Sequence, residues 1–295
     1  MNIKKGHMGS TIKFNSLLDK ELFMKDFNSK SQMQEIFSSW KFTGTYNISE
    51  INFKDLIISE LIAKNIISEE ILKKYNNDLG SLHLCLQDDI KSLDESEQNS
   101  ISISFYETSN ILQDMYIKFI SNVISPLFEK KIHYQVVPTF RFHFPYQTGY
   151  NWNDRYHTDI MLGHPPYEFN VWLPFTDAFD SNSMRLMSLE NSKKIYEICD
   201  NNFENLAEMT QYDDNLIRVL KSKSSSLNMK FGEFVIFDPR CLHCTQYNDT
   251  DKTRISMDIR VILEDNFSKY SREYKTTGRK KMPFLPGKYF SFESV

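Results

Sequence analysis

The stretch Thr253-Arg-Ile-Ser-Met-Asp-Ile-Arg-Val-Ile-Leu263 decides the fold of this 295-residue chain. It sets Arg254, Ser256, Asp258 and Arg260 on one face and Ile255, Met257, Ile259 and Val261 on the other. A period of two over that length is the signature of a β-strand. The apolar face belongs in a core. The other face carries charges too costly to bury unpaired, so it meets solvent or lines a polar pocket. Working outward, Thr139-Phe-Arg-Phe-His-Phe144 alternates as strictly, with Arg141 and His143 opposite three phenylalanines. Phe169-Asn-Val-Trp-Leu-Pro-Phe175 and Phe231-Gly-Glu-Phe-Val-Ile-Phe237 also read as strands, the second running into the turn Asp238-Pro239. Short strands punctuated by turn signals predict a sandwich or barrel.

Upstream the texture is helical, from about Asn15 to Lys130. Ile51 to Tyr75 spaces Leu56, Ile57, Leu61, Ile62, Ile66 and Ile67 at helical intervals, and Phe105 to Phe128 does the same until Pro126. Lys91 to Ser102 reads as a loop, and Ser192 to Ser225 as polar and partly helical. At 40% hydrophobic and 25% charged, the composition is that of a globular protein. A net charge of −4 argues against a nucleic-acid partner, and Arg279-Lys280-Lys281 reads as a solvated segment. Four cysteines (Cys85, Cys199, Cys241, Cys244) are too few for a disulfide scaffold. No apolar run reaches the roughly 20 residues that span a bilayer, and Met1 to Lys20 lacks a signal-peptide core. The expected setting is cytoplasmic, away from membranes. Gly6-His-Met-Gly-Ser10 is read as functionally silent.

His157-Thr-Asp159 and the distant His243 supply two imidazoles and one carboxylate, the donor set that holds one face of a non-haem Fe(II). A barrel brings His243 back to the pair by joining strands far apart in sequence. Isolated His-x-Asp pairs are common by chance; the strand context and the downstream Arg254 favour the metal. Cys241-Leu-His-Cys244 lacks the second cysteine pair that a structural zinc site needs. His164 reads as a loop histidine, and His83 and His133 as structural. Arg141, His143, Asn170 and Arg260 are candidates to bind substrate or co-substrate.

His157-x-Asp159, His243 and Arg254-x-Ser256 together resemble the Fe(II)/2-oxoglutarate-dependent dioxygenases. Arg141-Phe-His-Phe-Pro145, Asn170-Val-Trp-Leu-Pro-Phe-Thr-Asp177 and Asn182-Ser-Met184 are similar to the phytanoyl-CoA-hydroxylase-like superfamily, nearest its streptomycin-biosynthesis branch, with an echo in Pro286-Gly-Lys-Tyr-Phe290. The resemblance covers roughly Gln135 to Val261. It implies an α+β fold around a double-stranded β-helix (jelly-roll, cupin-like). Residues 1–130 would be a mainly helical region packed on the barrel, 131–263 the catalytic core and 264–295 a tail able to act as a lid, all in one structural domain.

The resemblance further implies His157, Asp159 and His243 as catalytic iron ligands, with Arg254 and Ser256 on the distal carboxylate of 2-oxoglutarate. Arg260, on the same face, could share or replace the role of Arg254. With O2, such a site would hydroxylate a C–H bond of a small biosynthetic metabolite or glycan precursor (sugar-, amino-sugar- or amino-acid-derived), releasing succinate and CO2, with desaturation or ring closure as alternative outcomes. Retention of Asp159 disfavours the halogenating variant. The rivals are a cupin-like metal-dependent isomerase or epimerase, and a non-catalytic metabolite-binding barrel.

Overall fold

The computed structural model describes residues 12–14, 16–86, 99–147, 153–267, 276–277 and 289–295. Its strands are β1 (Lys13–Phe14), β2 (Lys41–Thr45), β3 (Ile132–Tyr134), β4 (Thr139–His143), β5 (Glu168–Pro174), β6 (Met184–Met187), β7 (Ser224–Ser226), β8 (Glu233–Phe237), β9 (His243–Thr245), β10 (Arg254–Leu263) and β11 (Thr276–Thr277). Among the described residues, seven α-helices precede β3: α1 (Leu17–Phe27), α2 (Gln32–Phe37), α3 (Phe53–Ala63), α4 (Glu69–Lys74), α5 (Leu82–Leu86), α6 (Ser100–Ser104) and α7 (Asn110–Phe119). Between β6 and β7 lie α8 (Leu189–Ile198), α9 (Phe203–Tyr212) and α10 (Asp214–Lys223).

One antiparallel sheet runs β2-β8-β5-β10, with β3 and β4 sharing the far edge of β10; a second runs β7-β6-β9. The segment ending at His157 extends the second sheet through an antiparallel bridge, His157 to His243. From β4 onward the chain crosses between the sheets repeatedly: first sheet at β4, second at 153–157, back at β5, over for β6 and β7, back at β8, over at β9 and back at β10. That winding is a double-stranded β-helix, so the α+β fold with a jelly-roll core holds.

The sheets have distinct packing on each side. Ile255, Met257, Ile259 and Val261 join Val171 and Leu173 of β5 and Phe140 and Phe142 of β4. That surface meets Ile57 and Leu61 of α3 and Leu112, Tyr116 and Phe119 of α7 in one buried cluster. Each such side chain contributes at most about 1.5–3 kcal/mol. Phe23 and Phe27 of α1, Tyr196 of α8, Phe203 and Leu206 of α9 and Leu220 of α10 form a second cluster with Met187 at the end of β6 and Cys244 of β9. Between the sheets, Trp172, Leu186, Val235 and Phe237 fill part of the interior, and the polar side chains of β4, β5 and β10 take the rest.

Several expected elements differ in detail. The helix foreseen over Ile51 to Tyr75 is two, because Asn65 adopts the left-handed conformation (φ 55°) and Ser68 caps α4, accepting from the Ile71 amide at 3.3 Å. The helix foreseen from Phe105 starts at Asn110, where Ser109 caps it; a π turn (Ile120–Ile124) and a 3₁₀ turn holding Pro126 end it. Within the region expected to be helical, β2 pairs with β8, and a Cβ at Gly44 would collide with the Phe234 ring. The expected loop over Lys91 to Ser102 lies mostly outside the described residues, and its end forms the start of α6. Arg279 to Lys281, residues 6–10 and most of the expected lid also lie outside them. The last residues run along β3, with Val295 and Ile132 exchanging backbone hydrogen bonds at 2.9 Å. No helix among the described residues is long and apolar enough to cross a membrane.

Candidate metal centre

His157 and His243 each donate a backbone N–H to the other's carbonyl at 3.0 Å, so their rings project side by side with centroids 4.6 Å apart. Their Nδ1 atoms lie 2.9 Å from the Arg155 carbonyl and 3.0 Å from the Cys241 carbonyl. A carbonyl only accepts, so each Nδ1 carries the proton and each Nε2 presents a lone pair. Burial holds both imidazoles below their ordinary range, His157 down to about 3. Both are therefore neutral at pH 7, the form that binds a metal.

Asp159 does not continue an extended segment. It opens a 3₁₀ turn, Ile160–Leu162, and so swings its carboxylate under the two rings. One ligand atom from each of His157, Asp159 and His243 falls within 4.8 Å of the others. Burial opposes the charge on Asp159, but the Arg260 guanidinium and the nearby imidazoles outweigh it and hold the carboxyl well below the usual range. Arg260 Nε and Nη2 both reach Asp159 Oδ2, at 2.6 and 2.5 Å. Behind Arg260, the Glu168 carboxylate lies 3.7 Å from Nε and 2.8 Å from His164 Nδ1; burial pushes its pKa up.

Further along the same face of β10, Arg254 is 3% exposed. Its Nε donates to the Asn182 carbonyl at 3.1 Å and its Nη1 to Ser256 Oγ at 2.5 Å, while its guanidinium lies 5.9 Å from the centre of the Trp172 ring. His143 sits opposite Arg254 in register, and burial, with Arg254 adding, lowers its pKa to about 3. Arg141 pairs with Asp258 at 2.9 Å, and both side chains are partly open to solvent. Asn170, opposite Arg260 in register, is 1% exposed, and neither atom of its carboxamide has a hydrogen-bond partner among the described residues. A small cleft touches Asn99, Ser102, Arg141, His143, Gln147 and Arg254. A larger cavity of about 380 Å³, near Asp78, Phe175 and Lys252, shares no residue with the metal group.

The turn that delivers His243 is braced from a distance. Arg240 grips both carboxylate oxygens of Asp238 at 2.8 and 2.7 Å and donates to the Phe27 and Ser29 carbonyls at the end of α1. Ser31 also donates to Asp238. All nine residues picked out in the sequence fall in or beside the barrel interior. Sequence reasoning passed over Glu168 and gave Asp258 no role in the site. The signal for Glu168 was a lone carboxylate heading an apolar strand, four residues after His164.

No protein-family model matches the chain. The streptomycin biosynthesis protein StrG of Streptomyces griseus is 20% identical over 246 residues, covering 83% of this chain and 94% of StrG. Among solved structures, the non-heme alpha ketoglutarate dependent carbocyclase SnoK from nogalamycin biosynthesis aligns with a TM-score of 0.47 at 13% identity, covering 90% of this chain and 96% of SnoK. EctD from S. alaskensis aligns with a TM-score of 0.49 at 11% identity, over 88% and 84%. The resemblance read from the residues extended to streptomycin-biosynthesis proteins, and StrG is named as one of these.

Proposed function

We propose that this chain is an Fe(II)- and 2-oxoglutarate-dependent oxygenase that hydroxylates a C–H bond of a small biosynthetic metabolite in the cytoplasm. The observation that carries the reading is the set of two neutral imidazoles and one carboxylate turned inward together, with Arg254 and Ser256 on the inner face of β10. The donors suit Fe(II), and neither Cys241 nor Cys244 joins the group. Asn170 tests the fit of a polar ligand. A buried amide without a partner costs about 1–3 kcal/mol, and a polar ligand held in the interior would relieve that cost.

Bound iron, with 2-oxoglutarate and O2, supplies the oxidising power that breaks the C–H bond, leaving succinate and CO2. The remaining work belongs to the side chains. His157, Asp159 and His243 would hold the ion. Arg254 clamps the distal carboxylate of the co-substrate through its planar fork. Ser256 Oγ already accepts from Arg254, so its O–H is free to donate to that carboxylate. Trp172 lies beside the Arg254 guanidinium, its ring centre 5.9 Å away. Arg141 and Asp258, at the open side, are placed to meet charged or hydroxylated groups of a substrate. The similarity to StrG, a streptomycin biosynthesis protein, is in keeping with a small biosynthetic molecule, and we propose one derived from a sugar, amino sugar or amino acid.

The test is an anaerobic Fe(II) titration with and without 2-oxoglutarate, followed through the visible metal-to-ligand charge-transfer band. A band abolished by His157→Ala and weakened by Arg254→Ala supports the reading. No band in metal-replete wild-type protein would sink it and leave the isomerase or the binding barrel standing.

A further inference from the structure

Arg254 and Arg141 have evident uses in the proposed reaction; Arg260 does not. It is a buried cation beside a carboxylate that is to bind another cation, and on charge alone it opposes metal binding. Its geometry suggests a compensating role. Nε and Nη2 converge on one oxygen of Asp159, Oδ2, while Nη1 donates to the Ile259 carbonyl at 3.0 Å. The guanidinium is therefore held through all three nitrogens, and the Glu168 carboxylate stands on its far side, itself 2.8 Å from His164.

We propose that Arg260 is a positioning residue that occupies Oδ2 of Asp159 and thereby presents the carboxylate to the metal through Oδ1 alone, with Glu168 and His164 steadying the guanidinium from behind. The proposal rests on the metal-centre reading. Its consequence follows from counting. Two imidazoles and a one-oxygen carboxylate take three of six octahedral positions and leave three, enough for a two-point co-substrate and oxygen. A carboxylate free to chelate through both oxygens takes a fourth position and leaves too few. The guanidinium thus gives up some electrostatic attraction for the ion and keeps the open face at its full size.

The test uses Co(II) as the probe in anaerobic titrations of the full chain, reading dissociation constant and ligand-field spectrum for wild type, Arg260→Lys and Arg260→Gln. Lysine keeps the charge and loses the fork; glutamine loses the charge as well. The expected result is an altered ligand-field spectrum in both variants, as Oδ2 becomes free to chelate, with Arg260→Gln, which also sheds the opposing charge, binding Co(II) more tightly than wild type. Wild-type affinity and spectrum in Arg260→Lys would overturn the proposal. So would tighter binding with an unchanged spectrum in Arg260→Gln, which would make Arg260 only a counter-charge. Thermal melting of the metal-free proteins checks folding. If the Arg260 variants do not fold, Glu168→Gln decides, with a smaller spectral shift in the same direction expected and no spectral shift overturning the proposal. Wild-type protein that takes up no Co(II) would bring down the metal-centre reading itself, whereas unchanged variants of a metal-binding wild type would remove only the role of Arg260.

Discussion

On one side of β10, Ile255, Met257, Ile259 and Val261 are fully buried against α3 and α7. On the other, Arg254, Ser256, Asp258 and Arg260 line the barrel interior, three of them held by specific partners across the sheet or beyond it. The outer face works by area, and any well-packed apolar side chain of similar volume serves there. The inner face works by pairing, and each group needs its own partner at its own distance. One strand therefore separates apolar packing from polar pairing by parity of residue number.

Substitutions that exchange the two kinds of face test this most severely. Ile259→Asp places an unpaired charge in the helix-facing core and should cost more than about 4 kcal/mol, seen as loss of cooperative unfolding in urea. Ile259→Ala, which only leaves a cavity, should cost about 2–5 kcal/mol in the same measurement. On the inner face, Arg254→Lys should show mainly in ligand binding. The 2-oxoglutarate dissociation constant should rise roughly 10- to 100-fold by titration, the worth of a charge-assisted hydrogen-bonded contact. Unchanged affinity would show that the face is polar without being a site.

His143 gives a pH signature to the inner face. The native protein keeps it neutral down to about 3, whereas the unfolded chain protonates it near 6.5. Between those values the unfolded state binds more protons, so stability falls as pH drops through the window. Metal-free His143→Gln should lose less stability between pH 7.5 and 5 than wild type, read from urea midpoints; equal slopes would contradict the burial argument. Arg141→Gln should have the smallest effect, under about 1 kcal/mol, because its pair with Asp258 is partly open to water.

The sequence revealed β4, β5, β8 and β10 because each carries an apolar face against the helices, and a two-residue period survives without knowledge of partners. It did not reveal β6, β7 and β9, which span only three or four residues and are too short to show a period. The group of His157, Asp159 and His243 was legible because its residue types are uncommon together. The contact between Arg260 and Asp159 was not, since it joins positions 101 residues apart and depends on the turn that begins at Asp159. The helical break at Asn65 was similarly hidden, because the apolar spacing continues across it while the backbone does not.

Strand β10 also bears on how the molecule is made. It is the shared partner of β3, β4 and β5, and Arg141 waits 117 positions for Asp258. A ribosome therefore releases β3, β4 and most of the barrel long before the strand that joins them exists. During that interval Phe140, Phe142, Val171 and Leu173 lack their final neighbours, which is when a long-range sheet is most exposed to aggregation. Closure of the barrel and arrival of Arg254 and Arg260 on its inner face are then one event in the life of the nascent chain, so a protein interrupted before β10 has neither a finished sheet nor a complete interior.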